Sequence, residues 1–256
     1  MNDIKTDFPM LKKVMQSNWI ELSEKKLFFG HQSVGFNIVD GLNDIMQQLP
    51  KISLNIKKTN DPDELNKPLF AHSSVGQNKD PISKCDDFKR IIENGIGDRV
   101  DIAFFKFCYV DITTETDLNN IFEVYKDTMD YLGKKYSNIV FIHITVPLRV
   151  YQTGPKAWIK KIIGRQIGGY SNNIKRNQFN EMLRKEYEGK VPFFDLAKIE
   201  STFPDGKRMI IKKKGEMFYS LVRDYTDDGG HLNKTGRIKV AEQLLILLAN
   251  LTNDSG

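Results

Sequence analysis

Ser33 stands in Gly30-His31-Gln32-Ser33-Val34-Gly35, between an apolar run and a helical pattern, and so occupies a strand-to-helix turn. Such a turn exposes a hydroxyl and offers the first N–H groups of the helix to a developing anion. Near the other end, Asp228-Gly229-Gly230-His231-Leu232-Asn233 precedes the last helical pattern. A serine hydroxyl becomes a useful nucleophile when an imidazole removes its proton and a carboxylate holds that imidazole in the right tautomer. Asp228, three residues ahead of His231 on a Gly-Gly turn, can fold back onto the same ring. Alone, each stretch has a plainer reading: serine is a favoured helix cap, and Asp-Gly-Gly before a helix is a surface turn. Together they make Ser33, His231 and Asp228 the candidate catalytic residues.

Both stretches need elements to carry them. Short apolar runs rich in β-branched or aromatic residues recur at 26–30, 52–56, 100–107, 139–145 and 191–194, each of a length suited to a strand buried on both faces. Apolar residues at helical spacing lie between and after them, among them Ile38, Val39, Leu42, Ile45, Met46 and Leu49, then Leu118 to Leu132, Ile174 to Tyr187 and Ile238 to Leu251. This alternation predicts an α/β chain with a mostly parallel sheet, whose active site lies at the carboxyl ends of the strands. Two stretches break it. Residues 57–82 read as a long polar loop with Pro62, Pro68 and Pro81, of the kind that lines a site. Residues 154–170 read as a basic amphipathic insertion, favoured as a helix packed on the domain over a lid on the site or a membrane-surface contact, and residues 1–24 as a helical extension of one domain spanning 1–256.

Ser74 is a rival nucleophile. His31-x-Ser33-Val34-Gly35-x-Asn37 is echoed 41 residues later by His72-x-Ser74-Val75-Gly76-x-Asn78, which reads as two similar turns without wider duplication. Ser33 is preferred because a clear strand precedes it and a strong helix follows. His143, within an apolar run, reads as a core or strand-end histidine, and Asp80 and Asp111 as surface-loop acids.

The order strand-Gly-x-x-Ser, a glycine-bearing loop, Phe194-Asp195-Leu196-Ala197, and Asp228-Gly-Gly-His231-Leu-Asn-x-x-Gly236 resembles the SGNH, or GDSL-type, hydrolases from about Lys26 to Leu248. The resemblance implies a three-layer α/β/α sandwich with a five-stranded parallel sheet, and a serine esterase or O-deacetylase with acylated carbohydrate as one candidate substrate. It also implies an oxyanion hole made of the Ser33 and Gly76 N–H groups and an asparagine amide. The chain departs from the family twice. Its first block is Gly-His-Gln-Ser, nearer the Gly-Gln-Ser variant of sialate O-acetylesterase-like members. Its third block, Lys106-Phe107-Cys108-Tyr109-Val110-Asp111, lacks the usual asparagine. Asn78 supplies that amide, or Tyr109 lines the site instead, or backbone groups act alone. His31, Gly76, Asn78 and Tyr109 are the candidate oxyanion and substrate-binding residues. Acyl transfer to a polysaccharide would use the same residues, and a binding protein of weak activity would keep the same fold.

With 256 residues, 40% hydrophobic, the chain is long enough for a substantial core. Its net charge of +5 is spread along the chain without an aromatic-basic pattern, which argues against nucleic acid. The run Lys212 to Lys214 reads as a solvated turn. Cys85 and Cys108 form no zinc spacing, so neither a metal nor a cofactor is expected. No basic-then-apolar leader and no spanning run is visible, so the expected location is cytoplasmic, although an exported form without its leader would read the same.

Overall fold

The computed structural model describes residues 8–151, 170–213 and 215–252. The insertion read at 154–170 lies outside them except for Tyr170, as do residues 1–7 of the N-terminal extension. The centre is a six-stranded sheet rich in aromatic and aliphatic residues. β1 (Lys26–His31) lies between β3 (Leu69–Ser74) and β4 (Ile102–Phe105), with β2 (Ile56–Lys58) outside β3, and β5 (Val140–Ile144) and β6 (Phe193–Phe194) outside β4. Every pairing in it is parallel.

Side chains alternate between the faces with a period of two. Leu27, Phe29, Phe104 and Ile142 point to one core together with α1 (Pro9–Lys13), α2 (Gln16–Ser23), α3 (Val34–Gln48) and α8 (Lys234–Leu251). Phe28, Ala71, Phe105 and Phe141 point to the other, under α4 (Pro81–Glu93), α5 (Leu118–Lys135) and α6 (Tyr170–Tyr187). The result is the three-layer α/β/α sandwich.

The sheet has six strands where five are expected. The additional one, β3, lies inside the stretch read as a polar loop. Its second half, His72-Ser73-Ser74, is polar, and the prolines around it suggest irregular chain. Each proline in fact opens an element: Pro62 starts a 3-10 helix (Pro62–Asn66), Pro68 precedes β3, and Pro81 is the first residue of α4. At these positions the missing N–H is of no consequence. The run 52–56 also shifts: Ile52 N–H closes a turn onto Leu49 O, and β2 is the edge strand Ile56–Lys58, with Lys57 and Lys58 exposed.

Two smaller elements complete the chain, α7 (Leu196–Glu200) and the antiparallel hairpin β7 (Ile210–Lys213) and β8 (Glu216–Tyr219). Lys212 is exposed on that hairpin rather than in a turn, and Lys214 lies outside the described residues. Asn177 of α6 anchors it, donating to Tyr219 O at 2.9 Å and accepting from Tyr219 N–H at 2.9 Å.

Helices α3 and α8 approach each other closely at Gly41. A Cβ at Gly41 would sit 2.4 Å from Arg237 O, a backbone atom that no rotamer can move. Beside it, Arg237 Nε donates to Asp44 Oδ2 at 2.7 Å. Alanine would raise helix propensity by about 1 kcal/mol, but the forced separation of two packed helices costs about 1–3 kcal/mol. Gly41→Ala is therefore expected to lower the urea midpoint with an unchanged m-value.

Candidate active site

β1 ends at His31, Gln32 turns, and α3 begins at Val34, which leaves Ser33 at the apex. Its backbone has φ 53° and ψ −114°, a conformation that L side chains rarely adopt. Holding it costs about 1–3 kcal/mol, and the surroundings must fix it. Gln32 Nε2 donates to Val75 O at 3.0 Å and to Gly76 O at 2.5 Å, while Gln32 O accepts from Gly35 N–H at 3.0 Å. The Ser33 side chain caps nothing, which removes the plainer reading of this serine. Its Oγ instead lies 2.8 Å from His231 Nε2.

The opposite nitrogen, His231 Nδ1, is 2.6 Å from Asp228 Oδ2. Asp228 Oδ1 accepts from the N–H groups of Gly230 and His231, both at 2.8 Å, and Gly229 takes φ +86° to close the turn. Burial opposes the charge on Asp228, yet the hydrogen bonds from the His231 ring and from these N–H groups hold its carboxyl well below the usual carboxylate range. An ionised Asp228 accepts Nδ1–H, so Nε2 presents its lone pair to the Ser33 hydroxyl. Asn37 Oδ1, on the first turn of α3, accepts from Leu232 N–H at 3.1 Å and ties this turn to the helix that Ser33 precedes.

Ser74 ends β3 opposite His31, but the described partners of His231 are Ser33 and Asp228. The two echoed heptads end neighbouring strands and touch: His31 Nε2 lies 3.0 Å from His72 Nδ1. His31 is therefore not a pocket residue. It is fully buried, shares a face with Leu27 and Phe29, and supports the turn from below, where a Cβ at Gly35 would meet its ring at 2.4 Å. Burial, then Lys106, His72 and Lys58, push its pKa down to about 2, so it stays neutral.

Gly76 also differs from expectation. Its N–H donates to Asp87 Oδ2 at 2.8 Å, and its φ of +53° and the backbone of Lys84, 2.6 Å from a would-be Cβ, show a glycine required for close approach of α4. Ser33 N–H has no acceptor among the described residues. Asn78 is exposed, and its Oδ1 accepts from Lys84 Nζ at 3.1 Å, which leaves Nδ2 as the end free to donate. Tyr109 packs edge-on to His231 with centroids 5.7 Å apart, and its hydroxyl interacts with the Ser33 side chain. Burial raises the Tyr109 pKa, with Arg149 opposing, so the hydroxyl keeps its proton.

No family model matches the sequence, and no curated protein matches it. Solved structures do. A Parabacteroides merdae protein described as a GDSL-like lipase matches with a TM-score of 0.52 at 11% identity, over 90% of this chain and 99% of that one. The chain has the fold of a GDSL-like lipase. A Desulfitobacterium hafniense protein described as lipolytic and of the G-D-S-L family matches at a TM-score of 0.48 and 11% identity, over 87% and 99%. The periplasmic domain of a lipopolysaccharide acetyltransferase from Salmonella ser. Paratyphi A gives 0.44 and 11%, over 87% and 83%.

On this GDSL-like fold, several residues that sequence reasoning passed over shape the site. Asp111, read as a surface acid, is 2% exposed. It accepts from Cys108 N–H at 2.6 Å, from Lys79 N–H at 2.8 Å and from Lys84 Nζ at 2.5 Å, so one carboxylate joins the loops after β3 and β4 to α4. Asp80 caps α4 through Ser83 N–H at 3.1 Å. Arg149 follows β5 and Arg176 lies on α6, both facing a cavity of about 630 Å³ beside Tyr109. The position of Lys84 was the readable signal: it falls on the apolar stripe of Pro81, Cys85, Phe88 and Ile92, where a lysine requires a buried partner.

Two outcomes follow. Asp111→Ala strands the buried Lys84 charge and is expected to cost about 3–5 kcal/mol in urea unfolding, part of which Lys84→Met in the same chain restores. Glu200 is fully buried, and burial raises its pKa to about 8 against the Leu148 N–H, Lys106 and Arg176. The unfolded chain ionises near 4.5 while the folded one holds its proton to about 8, so stability should decline across that interval as pH rises. Glu200→Gln should flatten the decline.

Proposed function

We propose that the chain is a serine ester hydrolase acting through Ser33, His231 and Asp228. The observation that carries this reading is the aligned pair of contacts, Ser33 Oγ to His231 Nε2 at 2.8 Å and His231 Nδ1 to Asp228 Oδ2 at 2.6 Å. A hydroxyl, an imidazole and an ionised carboxylate in that order form the arrangement that activates a serine.

In the proposed reaction, Ser33 Oγ attacks the acyl carbonyl as its proton passes to His231 Nε2. The new imidazolium stays paired with Asp228. The oxyanion is met by Ser33 N–H, with Asn78 Nδ2 as the second donor in place of the Gly76 N–H, which donates to Asp87. Collapse expels the alcohol, which takes the proton from Nε2, and leaves an acyl group on Ser33. A water, deprotonated by the same nitrogen, releases the acid and restores the hydroxyl. The strained Ser33 backbone favours this chemistry because it turns the hydroxyl outward before substrate arrives.

Turnover of 4-nitrophenyl acetate by Ser33→Ala should fall by on the order of 10³-fold or more, and by Asp228→Asn by on the order of 10²–10⁴-fold. A fluorophosphonate should label the unaltered protein and not the Ser33→Ala variant. Full activity in that variant would remove the assignment.

A further inference from the structure

Tyr109 touches the triad on one side and two guanidinium groups on the other. Its ring meets His231, while Arg149 Cζ lies 5.1 Å and Arg176 Cζ 5.8 Å from the ring centroid. Neither arginine pairs with a carboxylate among the described residues. Arg149 Nε donates to Gly229 O at 3.3 Å, and its terminal nitrogens have no described acceptor. Arg176 is 2% exposed, with Nε on Tyr109 O and one terminal nitrogen on Asn173 Oδ1, both at 2.7 Å.

Two like charges held together in this way repel each other. Arg176 accordingly has its pKa pulled down to about 10, first by burial and then by Arg149. The nearby acids, Glu200 and Asp111, act on Arg176 in the opposite sense but do not outweigh burial and Arg149, and the Asp111 carboxylate is paired with Lys84. Both arginines line the cavity beside Tyr109, together with Lys79, Glu115 and Asp117. The Asp117 carboxylate is engaged at the start of α5 by the N–H groups of Asn119 and Asn120.

We propose that Arg149 and Arg176, with Tyr109 between them, form an anion subsite, and that the ester this protein acts on carries a carboxylate or a phosphoryl group next to the reacting carbonyl. The planar forks of two arginines match either anion and would exchange mutual repulsion for charge-assisted hydrogen bonds. A carboxylate on a sugar ring suits the remaining lining, since Glu115, Asn120 and Thr113 can hydrogen-bond ring hydroxyls. The word ester rests on the hydrolase reading above, whereas anion binding does not.

Calorimetric titration of the unaltered protein with glucuronate, inorganic phosphate and glucose tests the subsite without turnover. At least one anion should bind with a Kd tenfold or more below that of glucose. Glucuronate alone assigns a carboxylate, and phosphate alone a phosphoryl group. Arg149→Gln should weaken the anion tenfold or more, and Arg149→Lys should retain part of the affinity. In turnover, the ratio of kcat/KM for an acetylated glucuronoside over an acetylated glucoside should exceed ten and fall toward one in Arg149→Gln. Equal binding of anions and glucose by the unaltered protein, or anion binding that Arg149→Gln leaves intact, overturns the proposal. Loss of the hydrolase reading through an active Ser33→Ala variant would leave the binding result standing.

Discussion

A parallel strand buried on both faces has no room for polar chemistry along its length, so that chemistry passes to the residue that follows it. β1, paired on one side with β3 and on the other with β4, imposes this constraint on the whole molecule. Its register places Ser33, the Gly76 to Asn78 loop and the Tyr109 to Asp111 loop on one edge. The contact between α3 and α8, fixed by Gly41 and by Asn37 bonded to Leu232 N–H, then brings the Asp228 to His231 turn over the same edge.

Gathering loops on one edge leaves polar backbone and charged side chains to be satisfied below it. Asp111 and Lys84 do this for the loops after β3 and β4. Asn173 and Asn180 do it after β5, with Asn173 Oδ1 accepting from Arg149 N–H and Asn180 Oδ1 from Val146 N–H. Glu200 takes the Leu148 N–H as well, but one of its oxygens has no partner among the described residues. The site thus stands on a layer of buried polar groups in which an acid and a base are matched at one place and a carboxyl is left protonated at another.

Much of this was legible in the sequence where periodicity and position agreed. β1 followed by α3 read clearly because Leu27, Phe28 and Phe29 form a continuous apolar run and Ile38, Val39, Leu42 and Ile45 follow at helical spacing. The Asp228 and His231 turn read clearly because two glycines and a closing helix flank it. β3 was hidden by its own polar end and by prolines that open elements instead of breaking them. His31 could not be placed without knowing that Leu27 and Phe29 share its face. Gly76 could not be separated from an oxyanion donor without Asp87, because a positive φ and a close helix are invisible one residue at a time. The arginines were missed for a related reason: Arg149 and Arg176 lie 27 positions apart and are joined only through Tyr109.

Ser33 and His231 are separated by 198 positions along the chain. Their contact is among the most non-local in the molecule, and loop-closure entropy makes such contacts late to form. Sheet pairing around β1 can be complete while this one distance is still open, until α8 settles against α3. The 2.8 Å distance between hydroxyl and imidazole therefore depends on the docking of the last helix, which begins just after His231.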